Sequence, residues 1–225
     1  GLQARTTGRI LTELGVHLGI LAIGLVGFFA LDLLALRIAS LLLVTLGSVG
    51  VATNTHTSAH GGTSARRWVN DLLALAGFPL VSSLSLTYWR YKHNVLHHLS
   101  PNIEGIDPDH EFTPWFALAD TQFAKLGKLS HLYRRAHGVL FAFLATFVMV
   151  TNMRVLGAIY ACRQLGGKHR RAALVDLGLL ALSIGVWWGL PLWLASPWEA
   201  IALNLSRSIL LSPAMFLIFA PAHLP

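Results

Sequence analysis

The 225-residue sequence predicts an all-α integral membrane protein: four transmembrane helices, a re-entrant or interfacial helix, and a cytosolic histidine-rich cap. Three observations carry this reading. The chain is 54% hydrophobic and only 12% charged, where a soluble chain carries about 25% charged residues. Apolar runs of membrane-spanning length recur, and mean hydropathy is +0.59. Lysine and arginine gather in a few of the connecting segments. This composition excludes a soluble enzyme, a disordered tail and a nucleic-acid module, despite a net charge of +7. Such a basic balance suits loops facing anionic lipid. The single cysteine, Cys162, excludes an internal disulfide framework and a cysteine-based zinc site.

Five apolar stretches follow in order. Residues 14–31 and 38–55 are 18 residues each, close to the ~20 that cross a hydrocarbon core. The short link through Asp32 and Arg37 makes them an antiparallel hairpin. Residues 138–153 form a third stretch of 16, residues 177–198 a fourth of 22, and residues 200–222 a fifth that contains Arg207. Residues 72–89 are also apolar, but Gly77, Pro79 and three serines interrupt them, so they read as a membrane-surface or buried segment. Arg5 and Arg9 precede the first stretch. Eight basic residues, from Arg66 to Arg135, lie between the second and third, and Arg163, Lys168, Arg170 and Arg171 follow the third. The Lys/Arg bias puts these segments in the cytoplasm. Because residues 138–160 are basic on both sides and carry Arg154, they are expected to lie in-plane or re-entrant, leaving four crossings.

Eleven histidines against ten carboxylates is the unusual ratio. The second stretch runs into His56-Thr-Ser-Ala-His60, and positions i and i+4 share a helix face, so both imidazoles can reach one metal. Taken alone, that pair reads first as two interfacial histidines. His93-Asn-Val-Leu-His97-His98 is the rarer pattern. On an α-helix His93 and His97 share a face, and His98 lies about 100° further round, toward a second metal. His223 ends the fifth stretch, where a lone histidine is ordinarily a dipole-facing residue. His17 reads as a core or tunnel residue, and His131, His137 and His169 as solvated. His110 sits in an acidic run that is either a turn or a set of carboxylates orienting ligand imidazoles.

His56–His60, the block Trp89-Arg90-Tyr91-Lys92-His93-Asn94-Val95-Leu96-His97-His98, and the run Asn102-Ile-Glu-Gly-Ile-Asp107-Pro-Asp109 resemble the membrane fatty acid desaturases. The likeness is nearest to bacterial acyl-lipid and linoleoyl-CoA-type members, and it extends over most of the chain as one domain, residues 1–225. It implies two non-haem irons held by His56, His60, His93, His97 and His98, with His223 at the cytosolic end of the last span. Asn102, Asp107 and Asp109 would stand behind these ligands. No catalytic residue beyond the metal centre is implied. The resemblance also implies O2 as co-substrate, an external electron donor (ferredoxin or cytochrome b5), and a fatty acyl lipid, acyl-CoA or acyl-ACP substrate. The expected location is the bacterial inner membrane, with the histidines facing the cytoplasm.

Two departures stand out. Position 57 is threonine where the family often has an acid, and the family's third histidine box, HxxHH or QxxHH, is absent before Pro225. The expectation is that the natural protein continues to that box and that the 225-residue form alone binds iron weakly and is inactive. The competing readings are a di-iron hydroxylase of alkane, sterol or carotenoid and a membrane metal transporter.

Overall fold

In the computed structural model, residues 2–109, 117, 119–143, 146–147 and 149–219 are described, and they are helical with no strand among them. The helices are α1 (Leu2–Ala30), α2 (Leu34–Ala59), α3 (Arg67–Leu75), α4 (Leu86–Trp89), α5 (Asp120–Lys125), α6 (Ser130–Phe143), α7 (Met149–Arg163), α8 (Arg170–Ile184), α9 (Leu190–Leu194) and α10 (Pro197–Phe219). Wider π-helical turns follow α3 (Ala76–Val81), α4 (Arg90–His97) and α8 (Gly185–Gly189).

α1 and α2 form the expected hairpin. Its close approach is set at Gly47, where a Cβ would stand 2.6 Å from the Leu21 backbone nitrogen. Thr7 of α1 donates to the Thr63 carbonyl just beyond α2, so the start of α1 and the end of α2 lie together. At the opposite end, Arg37 donates to the Phe28 carbonyl and pairs with Glu199 of α10. Leu21, Phe28, Val44, Trp187 and Leu203 bury the contact among α1, α2, α10 and the turn after α8.

The outer surface is apolar. Val26 (67% exposed), Leu34 (69%) and Ile184 (62%) face outward, as side chains meeting lipid do. Thr7–Ala30, Leu34–Ala59 and Arg170–Leu194 are long and apolar enough to cross a membrane. They coincide with the first, second and fourth stretches. The fifth stretch forms α10, a helix of 23 residues.

From residue 77 onward the segment 72–89 is largely buried, with Gly77, Phe78, Pro79, Ser82, Ser85, Leu86 and Trp89 all enclosed, while Leu72 at its start is 59% exposed. Pro79 lacks an N–H and crowds the carbonyl four residues back, so the α-ladder cannot continue through it. The pair Arg67–Val81 and Leu86–His97 bends by 115°, as a broken span or re-entrant loop does. The bend falls in an arm that the sequence marks as buried or interfacial. The third stretch, followed through residue 160, takes in the end of α6 and most of α7, and residues 144, 145 and 148 between them lie outside the described residues.

Candidate metal centre

The first histidine pair occupies the last turn of α2. His56 and His60 lie with ring centroids 4.6 Å apart, as their i, i+4 spacing dictates. The arm brings the second cluster against them: His93 is 5.4 Å from His56 and 5.2 Å from His60, and His98 is 5.1 Å from His60. His93 also stacks on His97 at 5.1 Å and meets His98 at 4.8 Å. Five imidazoles from two distant parts of the sequence thus form one cluster. His223 and His110 lie outside the described residues.

The placement of His98 differs from the α-helical expectation, and the π-turn explains it. At about 100° per residue His98 would fall about 140° from His93, whereas a turn widened to about 4.4 residues reduces this to about 50°. The backbone from Arg90 to His97 adopts that wider turn. His98 consequently shares the site with His93 and His60 instead of pointing away.

Two carboxylates stand behind the second cluster. His97 Nδ1 donates to Asp107 at 2.8 Å, and His93 Nδ1 faces Asp109 at 3.3 Å. An ionised carboxylate only accepts, so in the neutral rings the proton sits on Nδ1 and the Nε2 lone pair is left for a metal. Asp107 is 1% exposed and also accepts from the backbone N–H groups of Asn102 and Asp109. Burial opposes its ionisation, but these three donors outweigh it and hold its pKa below the ordinary value. Asp109 is half-buried, which opposes its ionisation, yet His93 and the paired Lys92 keep it well below the usual carboxylate range. Asn102 serves through its backbone: its φ of 59° turns the N–H onto Asp107.

Burial lowers His60 to about 4, with His93 and His98 adding to the effect. Burial also lowers His98, followed by His93 and His97. Kept neutral, His60 and His98 each retain a lone pair for a metal. One ligand atom each from His56, His60 and His93 lie within 4.8 Å of one another, as do those of His93, His97 and Asp109. Metal–nitrogen bonds of 2.0–2.1 Å place ligand atoms about 3–4 Å apart, so a small inward turn of the rings closes either group. The donor set fits a metal, and His93 belongs to both groups. Lys92 on Asp109 makes the second group the less favourable for a dication.

Sequence reasoning passed over Trp89 as a site residue. Its ring stacks on His93 at 4.7 Å and meets the edges of His56 and His60 at 5.2 and 5.1 Å, so it walls one side of the place where the two sets of histidines meet. Its position four residues before His93 is the signal that could have found it. A groove of about 620 Å³ opens beside His60, lined by Arg67, Asn70, Asp71, Arg90 and Asn94. The other histidines have different surroundings: His17 bonds Asn54 at 2.8 Å, His137 packs on Phe123, and His131 and His169 are exposed.

The fatty acid desaturase family model matches residues 16–224. The chain is also 35% identical over 80 residues to the sn-1 linoleoyl-lipid 6-desaturase of Arthrospira platensis. That match covers 35% of this chain and 21% of the relative's length. No solved structure matches the chain significantly. Since the family match runs through both histidine clusters and nearly every helix, the chain belongs to the membrane fatty acid desaturase family.

Proposed function

We propose that the chain introduces a double bond into a fatty acyl chain, using O2 and external electrons at a non-haem di-iron centre. The observation that supports this best is the convergence of five imidazoles, two of them backed by carboxylates, beneath an apolar helical surface. His56, His60 and His93 would hold one iron, and His97 and His98 would face the second, with His223 completing the set. Bound there, the irons supply the O2 activation that removal of two hydrogens from an unactivated chain requires, and two electrons from a donor complete the reduction to water. Asp107 and Asp109 fix the ring orientation and tautomer of His97 and His93. Trp89 and the buried arm exclude water from one side of the cluster.

α10, at 1.5 Å rise per residue, is long enough to be the fourth crossing beside α1, α2 and α8. The histidines then face the cytoplasm, on the side to which the basic segments assign Arg9 and Arg66. Exposed Arg66 on this face, beside Arg9 and Arg67 paired with Glu13 and Asp71, adds to the basic balance of the cytoplasmic segments that would attract an acidic donor such as ferredoxin. The acyl substrate, whether lipid, CoA or ACP ester, approaches from the bilayer or this face.

Mass-spectrometric fatty-acid profiling tests the reading in a host expressing the intact gene or its His93→Ala variant. A new olefinic acid with the native gene alone is the expected result. A hydroxylated product would favour the hydroxylase, and metal uptake into sealed vesicles without any lipid product would favour transport.

A further inference from the structure

The tip of the arm is held by side chains that the metal centre does not use. Three successive carbonyls end its first half: Leu80 accepts from Trp187 Nε1 at 3.2 Å, Val81 from Arg207, and Ser82 from Arg154 at 3.3 Å. The second half starts with donors. Leu86 and Thr87 N–H donate to Asp176 at 3.1 and 3.0 Å, and the Ser85 hydroxyl donates at 2.5 Å. Between them Ser83 sits at φ 59°, with its hydroxyl on Ser183 at 2.7 Å.

Broken helices leave orphan carbonyls at one end and orphan N–H groups at the other, with partial charges of opposite sign. Here the guanidiniums meet the negative end and the carboxylate meets the positive end. Their origins matter: Arg154 comes from α7, Asp176 from α8 and Arg207 from α10. Arg207 is 2% exposed and lies 3.7 Å over the Trp187 ring, and its Nε has no hydrogen-bond partner. Asp176 is fully buried. Ionisable groups so enclosed in an apolar helical protein are expensive to place.

The arm leaves the mouth of the site at Arg67 and returns to it at Arg90, where Asp71 and Arg90 close it with a 2.5 Å ion pair. His93 stands only seven residues beyond Leu86, a helical length of about 10 Å. A shift at the tip therefore reaches the imidazoles directly.

We propose that Asp176, Arg154 and Arg207 are positioning residues: they clamp the break in the arm and thereby set the second histidine cluster against the first. This rests on the metal-centre reading for its functional meaning, but its geometry is testable without metal. Nitroxide labels at Thr57 and Val95, on a Cys162→Ser background of the full chain in nanodiscs, report the separation of the two clusters by pulsed electron resonance. The native arm gives one narrow distance. Asp176→Leu and Arg207→Met broaden or shift it, Asp176→Asn does so to a smaller degree, and cobalt(II) affinity falls about 10–100-fold in parallel, as when groups behind metal ligands are lost.

Leu203→Ala, a buried substitution outside the clamp, provides the comparison: it lowers the melting temperature while the distance stays narrow. If the severe variants do not fold, Asp176→Asn alone decides. A distance distribution unchanged in the folded clamp variants overturns the proposal. Broadening in the product of the intact gene, where that product binds no cobalt in its native form, sustains the clamp and overturns the metal reading instead.

Discussion

The α1–α2 hairpin and the arm of residues 67–98 each deliver one histidine cluster to the same place, by opposite means. The hairpin is regular: two long α-helices pressed together at Gly24 and Gly47, with His56 and His60 falling on one face through ordinary i, i+4 spacing. The arm contains two π-turns, a residue at positive φ and a 115° bend, and its tip hangs on side chains from three other helices. Local sequence suffices to aim the first pair of ligands. The second cluster is aimed by tertiary structure, so its geometry is more precise and also more vulnerable.

The sharpest test of this division is His93→Ala. Among the described residues His93 is the one shared by both candidate ligand groups, whereas His56 belongs to a single group. Cobalt(II) titration should show His93→Ala losing more than about 100-fold in affinity, beyond the 10–100-fold typical of groups behind a ligand. His56→Ala should retain more binding. Equal losses in the two variants would mean that the hairpin and the arm contribute interchangeably.

Next in size is Asp107→Ala. Three donors converge on that carboxylate, two of them backbone N–H groups that would be left buried without an acceptor. The expected outcome is a 10–100-fold weaker metal affinity and about 2–4 kcal/mol of lost stability, read by denaturant unfolding in detergent. A variant that kept its metal but lost stability would reduce Asp107 to a loop fastener.

These two predictions also mark how far the sequence could be read. Periodicity and spacing sufficed for α1, α2 and α8 and for His56–His60, because each depends on residues within one or two helical turns. The HxxxHH pattern disclosed its chemistry but not its shape. Nothing in residues 90–98 announces the wide turn that swings His98 back toward His93 and His60. The bend was less legible still. Gly77, Pro79 and the serines show that a helix cannot run through, but its direction is decided by Arg154, Asp176 and Arg207, 72 to 126 positions away in pairing distance. The third apolar stretch reads as in-plane or re-entrant because it is short and basic on both sides, whereas the sharp bend of the segment before it has no such mark in its charges.

A smaller effect is expected at the hairpin. A Cβ at Gly47 would meet Leu21 backbone at 2.6 Å, where no side chain can yield, so Gly47→Ala should part the two helices slightly. The cost is about 1–3 kcal/mol, as for other overpacked interiors, measured as a lower unfolding midpoint. Because His56 and His60 ride together on α2, their mutual spacing survives, and metal affinity should change less than in Asp107→Ala. A loss of affinity as large as that variant's would show the hairpin to be as finely set as the arm.

The smallest effect belongs to Asn102, and here a near-zero result is the informative one. The resemblance places Asn102 behind the ligands, and the structure uses its backbone there, turned by a φ of 59° so that the N–H reaches Asp107 at 2.8 Å. Asparagine tolerates that left-handed conformation better than most residues, and glycine tolerates it without steric cost. Asn102→Gly should therefore keep cobalt affinity within about twofold, a shift under roughly 0.4 kcal/mol. Asn102→Val keeps the N–H but places a branched side chain where Cβ meets the carbonyl, a penalty of about 1–2 kcal/mol. It should loosen Asp107 and hence the orientation of His97. If Gly and Val behaved alike and both lost metal, the amide itself would be at work, and the carboxylate behind His97 would depend on more of the loop than its backbone.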